Sequence, residues 1–225
     1  MLKLIFCYNR KAGLSVPDFQ RHFLNDRLDL VRSIPGLERY EQNHAKPSSY
    51  NQPAPPIFDA VEKMWIETRL SPAELLATPD LKRASAALDA VVDSARVRHI
   101  AAQEAVIKDG PAPEGALRLI EFLTRKDGMS PPDFHAHWEK VHGPLVAKQP
   151  QIRRYVQSHT LPSEYAAGQA PDFDGVTEVW FDDTAAMREA VALPLWAEVL
   201  EDEENFVPRN TPFILSIDRA VVLEA

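Results

Sequence analysis

Six letters of this chain are written twice in nearly the same form. Arg39-Tyr40-Glu41-Gln42-Asn43-His44 returns as Arg154-Tyr155-Val156-Gln157-Ser158-His159, 115 residues further on. Slid against itself by that distance, the chain aligns Leu2–Ile107 with Leu117–Val222 without a gap. Roughly thirty aligned positions are identical, where composition alone gives roughly six or seven. The block RKAGLSVPDF (10–19) answers RKDGMSPPDF (125–134), and FDAVEKMW (58–65) answers FDGVTEVW (173–180). A chain written twice folds as two copies of one unit. The expected domains are residues 1–110 and 115–225, joined near the Pro/Gly/Ala linker KDGPAPEGA at 108–116.

Each copy reads in the same order. A short apolar strand (Leu2–Tyr8; Leu117–Leu123) leads to a turn at Gly13 or Gly128. Ser15 or Ser130 is placed to cap a helix whose early prolines are tolerated in a first turn. That helix runs to about Ser33 or Lys148, and a second strand then carries the Arg-Tyr-x-Gln-x-His text. A Pro-rich loop follows (KPSSYNQPAPP; LPSEYAAGQAP), then a third strand from Phe58 or Phe173 to near Trp65 or Trp180. A second helical region is interrupted at Pro79 or Pro194, and a last strand lies near His99–Ile107 or Ile214–Val222. The order β-α-β-β-α-β predicts an α+β chain of two ferredoxin-like units.

Charge and glycine placement exclude several function classes. The formal net charge is −8 and no Lys/Arg block stands out, so neither nucleic acid nor an anionic membrane is an expected partner. No apolar run is long enough to span a bilayer, and the N-terminus lacks the pattern of a secretory signal. The single cysteine, Cys7, fits a cytoplasmic location. The eight glycines are too scattered for a P-loop or a dinucleotide-binding turn. His135, His137 and His142 do not share a helical face, so no metal site is expected.

FHAHWEKVHGPLV, followed by RRYVQSH, resembles the signature of the EthD-type proteins of the dimeric α+β barrel superfamily. The first repeat departs from it: FQRHFLNDRLDLV has Arg27 in place of His142, and Leu28-Asp29 in place of Gly143-Pro144. The resemblance implies that the two units pair their antiparallel sheets into a barrel with helices outside. In a tandem chain this makes an intramolecular pseudo-dimer, with a further homodimer open. It also implies a pocket between sheet and helices in each unit, the two no longer equivalent, and it singles out His142 as the signature histidine.

The residues supply their own candidates. On the second-repeat helix Phe134, Trp138, Val141 and Leu145 form the expected buried stripe, with His137 and His142 on its edges. A helical His beside Gly-Pro lies at an expected helix break. Strand period two puts Tyr155, Gln157 and His159 on one side, as it does Tyr40, Gln42 and His44. Such a row either handles substrate protons or braces the strand, and the bracing role is the one favoured for Gln42 and Gln157. Expected catalytic residues are therefore His142, Tyr155, His159 and His137, with Phe134, Trp138, Trp180 and Arg154 binding substrate. A second pocket would use His22, Asp26, Arg27, Tyr40 and His44, although solvated charge explains Arg27 more simply. The acidic run EVLEDEENF (198–206) reads as a solvated helical end.

The functional expectation is a small-molecule enzyme without an organic cofactor. Histidine and tyrosine would move protons on a small hydrophobic carbonyl or aromatic compound, in isomerase, dehydratase or cyclase fashion. Three alternatives stand beside it: a cofactor-free monooxygenase, a haem-binding barrel using His142, His137 or His159 as axial ligand, and a non-enzymatic ligand-binding protein.

Overall fold

The structure is a computed structural model, and it describes residues 1–25, 27–166, 170–217 and 223–224. The first repeat holds β1 (Leu2–Tyr8), α1 (Val16–Asn25), α2 (Leu28–Arg32), β2 (Leu37–His44), β3 (Ala60–Ile66), α3 (Pro72–Leu76), α4 (Pro79–Ala86) and β4 (Arg98–Lys108). The second holds β5 (Leu117–Leu123), α5 (Pro131–His137), a π-helical turn (Trp138–His142), α6 (Gly143–Ala147), β6 (Ile152–Thr160), α7 (Pro162–Tyr165), β7 (Gly175–Phe181), α8 (Thr184–Ala192), α9 (Pro194–Phe206), β8 (Phe213–Ile217) and β9 (Leu223–Glu224). The expected last strand is thus seen as β8 and β9, with 218–222 outside the described residues, as are 167–169 of the second Pro-rich loop.

Local chemistry accounts for the boundaries. Gly13 and Gly128 turn the chain at φ +84° and +81°, where a side chain would be strained. Ser15 and Ser130 each accept a hydrogen bond from the backbone N–H three residues on, at 3.2 Å in both repeats. Pro79 and Pro194 each start a new helix, because proline lacks the donor a continuing helix needs.

The strands run in the order β8-β5-β7-β6-β4-β1-β3-β2-β9, and the pairs are antiparallel. Each repeat contributes the 4-1-3-2 order of a ferredoxin-like unit. One seam joins β4 to β6. The other joins β2 to β9 and, at the Ala45–Ser216 bridge, to β8, where Lys46 N–H donates to Leu215 O at 2.7 Å. The two seams close the sheet into an α+β barrel within one chain, and closure removes the free edges.

Alternation sorts each strand into two faces. Leu4, Phe6 and Tyr8 face the helices, as do Leu117, Leu119 and Leu123. Ile5, Cys7, Ile120 and Phe122 face the lumen with Phe58 and Phe173. Part of the lumen is charged instead. Lys63 reaches Glu41 at 2.8 Å and also pairs with Glu178; Arg118 reaches Glu41 at 2.8 Å, and Lys3 reaches Glu178 at 3.2 Å. Burial alone would push Glu178 up, yet Lys63, Lys3 and Arg118 hold it below the ordinary carboxylate range. Positions 63 and 178 are repeat equivalents of opposite charge. Two identical halves would set like charges against each other here, whereas duplication let the halves become complementary.

Candidate functional site

The π turn at Trp138–His142 positions the first functional side chain. One extra residue in the turn slips the helical phase, so the inward positions become His142 and Val146. Val141 is accordingly 46% exposed, which corrects its place in the expected stripe, whereas Leu145 is half-buried against the core. His142, expected on an edge, is 5% exposed and packs against Phe206 with ring centroids 4.9 Å apart. Space for the turn comes from glycine. A Cβ on Gly143 would crowd Gln157, Ile107 and the Trp138 carbonyl at 3.2–3.3 Å. One on Gly175 would collide with the Trp138 ring.

Helix α9 supplies the partner. Asp202 Oδ2 lies 3.0 Å from His142 Nδ1, and its Oδ1 lies 3.0 Å from His137 Nε2. A carboxylate only accepts, so Nδ1 of His142 donates and Nε2 is left basic. Nε2 has no partner among the described residues. Burial lowers the His142 pKa, and the bond to Asp202 offsets only part of that, so the ring is neutral near pH 7. Asp202 corrects the reading of 198–206 as a solvated end. Val199, Asp202 and Phe206 are buried at helical spacing, and that spacing was the available signal.

The cleft beside His142 is lined by Glu121, Leu123, Trp138, Thr177, Glu203 and Phe206 among others, with a volume of about 10 Å³. An outer cleft of about 310 Å³ shares Glu203 and Val207 with it. Burial pushes Glu121 up to about 8, helped by the charge of Glu203. Burial likewise pushes Glu203 up to about 7, helped by Asp202. Both acids escaped the sequence reading. Glu121 occupies the helix-facing register of a strand whose neighbours Leu119 and Leu123 are apolar, and its repeat equivalent is Phe6.

The Tyr-Gln-His row is a hydrogen-bonded ladder in both repeats. Gln157 Nε2 donates to the Trp138 carbonyl at 2.9 Å and to Tyr155 Oη at 2.7 Å, and its Oε1 meets His159 Nε2 at 3.0 Å. Gln42 does the same with the Phe23 carbonyl at 2.9 Å, Tyr40 Oη at 2.6 Å and His44 at 3.2 Å. The glutamine ties the strand to the helix at the turn preceding residue 27 or 142. Tyr155 also accepts from Trp138 Nε1 at 3.2 Å and donates to none of the described residues. His159 spends its other nitrogen on His135 at 3.0 Å, away from the cleft.

The first repeat is built differently. Arg27 is 1% exposed and grips Glu62 with two bonds of 2.7 Å, correcting its reading as a solvated charge. Tyr8 and Tyr40 donate to the same carboxylate at 2.8 and 2.6 Å. This buried ion pair fills the space that is a cleft in the second repeat. His22 is exposed, and Asp26 lies outside the described residues. Trp180 and Arg154 are also corrected. They project into the mouth of the barrel, where Arg154 pairs with Asp109, because period two turns them away from Thr177 and Tyr155. Phe134 and Trp138 pack together beside the cleft, ring centroids 5.6 Å apart.

No described helix is long and apolar enough to cross a membrane. Among the described residues no three His, Cys, Asp or Glu side chains gather as metal ligands. A haem does not fit the three candidate histidines. His159 has both nitrogens committed to Gln157 and His135, His137 spends Nε2 on the Asp202 that also holds His142, and the space beside His142 holds about one water between two acidic walls.

This half of the molecule has relatives. Residues 126–210 match the EthD domain. The EthD match covers the π turn, the ladder and Asp202, so the cleft lies largely within it. Solved structures extend the likeness to the whole fold. An anthrone oxidase-like protein gives a TM-score of 0.66 at 11% identity, over 98% of this chain and 92% of its own. A candidate monooxygenase of Lactobacillus acidophilus gives 0.54 at 12% identity, over 99% of both chains. A mutant chlorite dismutase of Candidatus Nitrospira defluvii gives 0.55 at 11% identity, over 96% of this chain and 90% of its own. At these identities the likeness is one of fold. No curated protein sequence matches the chain.

Proposed function

We propose that the EthD half is a small-molecule enzyme that works without an organic cofactor, using His142 to take a proton from carbon beside a carbonyl or phenolic oxygen. The observation that carries this reading is the buried His142–Asp202 pair at 3.0 Å on a cleft, with Nε2 left unpartnered. Asp202 fixes the tautomer and would stabilise the imidazolium as it forms. Trp138 and Phe206 give the reacting carbon apolar walls. Tyr155 accepts the Trp138 indole N–H from behind and holds that wall in place. A substrate larger than water displaces Phe206 or Val207, which separate the inner cleft from the outer one. Isomerisation, dehydration and cyclisation all begin with this proton transfer.

A second reading, cofactor-free oxygenation of an activated aromatic, begins with the same deprotonation. The fold likeness to an anthrone oxidase-like protein is what favours it. Oxygen uptake during turnover separates the two.

Deuterium exchange tests the shared step. The full chain is incubated in D₂O with a panel of small aryl ketones and anthrones, and exchange at the carbon beside the oxygen is followed by NMR. The wild-type chain exchanges at least one of them, and His142→Ala slows that exchange by on the order of 10²-fold or more while keeping its circular dichroism. Equal exchange by His142→Ala overturns the assignment.

A further inference from the structure

The two repeats put a helix-facing carboxylate on different strands of the same cross-strand pair. In the first, Phe6 of β1 stands across from Glu62 of β3. In the second, Glu121 of β5 stands across from Thr177 of β7. Glu62 is neutralised by Arg27 and two tyrosines. The equivalent of Arg27 is His142, and it is turned to Asp202. Glu121 is therefore left on the cleft wall without a cationic partner among the described residues, in the same small space as Glu203.

We propose that Glu121 is the acid catalyst of this cleft, delivering its proton to the substrate oxygen while His142 takes the proton from carbon. The inference rests on the reading of the cleft as a proton-transfer site, and it narrows the substrate to one whose reacting oxygen is uncharged when bound. The step balances without a co-reactant. The C–H electron pair forms the enol double bond, the carbonyl π pair takes the Glu121 proton, and the carbon proton goes to His142 Nε2. In the reverse step the enol O–H proton returns to Glu121 and His142 gives its proton to a second carbon conjugated with the enol, which restores both residues and yields an isomer.

The surroundings agree with a neutral acid. The polar groups around Glu121 are Thr177 from β7, Tyr155 from β6, His142 with Asp202 from the helical side, and Glu203. Arg209, at the outer cleft, is paired with Glu204 at 2.8 Å. Burial raises both carboxyls; the charge of Glu203 adds to the rise of Glu121, and that of Asp202 adds to the rise of Glu203. Glu121 lines the cleft directly, whereas Tyr155 is 1% exposed and lies behind Trp138, so the glutamic acid is the donor with access.

NMR of the full chain carrying ¹³C-carboxyl glutamate tests this, together with the exchange assay. The expected result is two glutamate midpoints near or above neutrality, the higher of which disappears in Glu121→Gln, and a drop of at least about tenfold in exchange by that variant. Glu203→Gln leaves residue 121 untouched and lowers the same midpoint by removing a like charge. Ordinary titration of every glutamate, or an unmoved midpoint in Glu203→Gln, overturns the proposal. Exchange lost in His142→Ala but kept in Glu121→Gln overturns it too, and leaves the histidine base standing. Exchange lost in Glu121→Gln but kept in His142→Ala overturns the base and supports the acid.

Discussion

Asp202 holds two imidazoles at once: His142 Nδ1 lies 3.0 Å from one oxygen and His137 Nε2 lies 3.0 Å from the other. The His142 ring packs at a tilt of 56° against Phe206 from the same helix, so α9 fixes its tautomer and supports its plane. Asp202→Asn can offer its amide N–H to Nδ1 and favour the wrong tautomer. Exchange activity should fall by on the order of 10²-fold or more with the fold retained, as read by kinetics and circular dichroism. His137→Gln, on the more exposed arm, should change activity far less.

Arg27 and Glu62 form the corresponding centre of the first repeat. Arg27→Ala leaves a buried carboxylate unpaired and should cost about 3–5 kcal/mol in urea unfolding. The double variant Arg27→Met with Glu62→Leu removes both charges and should recover most of that loss. Exchange activity should be unaffected by the double change, because the cleft is in the other repeat.

Gly175 and Trp138 are fitted to each other, as Ala60 and Phe23 are at the equivalent positions. Gly175→Ala drives a methyl into the indole and should cost about 1–3 kcal/mol. Adding Trp138→Phe recreates the first-repeat pair and should restore part of the stability, seen as a positive coupling in a double-mutant cycle.

Acid should destabilise the chain through its ladder histidines. Burial lowers His44 and His159 from 6.5 to about 4, with His135 adding to the shift of His159. The unfolded chain takes up these protons first as pH falls. Their contribution is therefore whole above pH 6.5 and is lost as pH drops toward 4. Replacing both histidines with glutamine should flatten the pH dependence of the unfolding midpoint across that window.

The opposite limb belongs to Glu121. Its folded-state pKa of about 8 lies above the ordinary 4.5, so between those values the folded chain binds the extra proton. Stability should decline as pH rises through that interval, and Glu121→Gln should reduce the decline.

Much of this architecture could be read in the sequence, because a gap-free repeat of strand and helix patterns admits few folds. The ladder was visible too, since period two follows from backbone geometry alone. The site was only half legible. His142 was found, but its burial depends on a π turn that an ideal helical wheel does not contain. Asp202 was hidden in an acidic run whose charge masked the Val199–Asp202–Phe206 stripe. Glu121 was detectable as the departure from Phe6 on the otherwise apolar Leu117–Leu119–Leu123 face of its strand. Trp180 was misplaced because aromatic character was weighed ahead of the strand alternation that sends it into the barrel.

The most direct measurement needs no substrate: the ¹⁵N spectrum of histidine-labelled protein across pH, assigned through His142→Ala. The account predicts a single His142 tautomer with the proton on Nδ1, neutral at pH 7 and titrating below 6.5. An imidazolium at neutral pH, or a ring sampling both tautomers like an exposed histidine, would contradict the claim that this cleft holds a poised base.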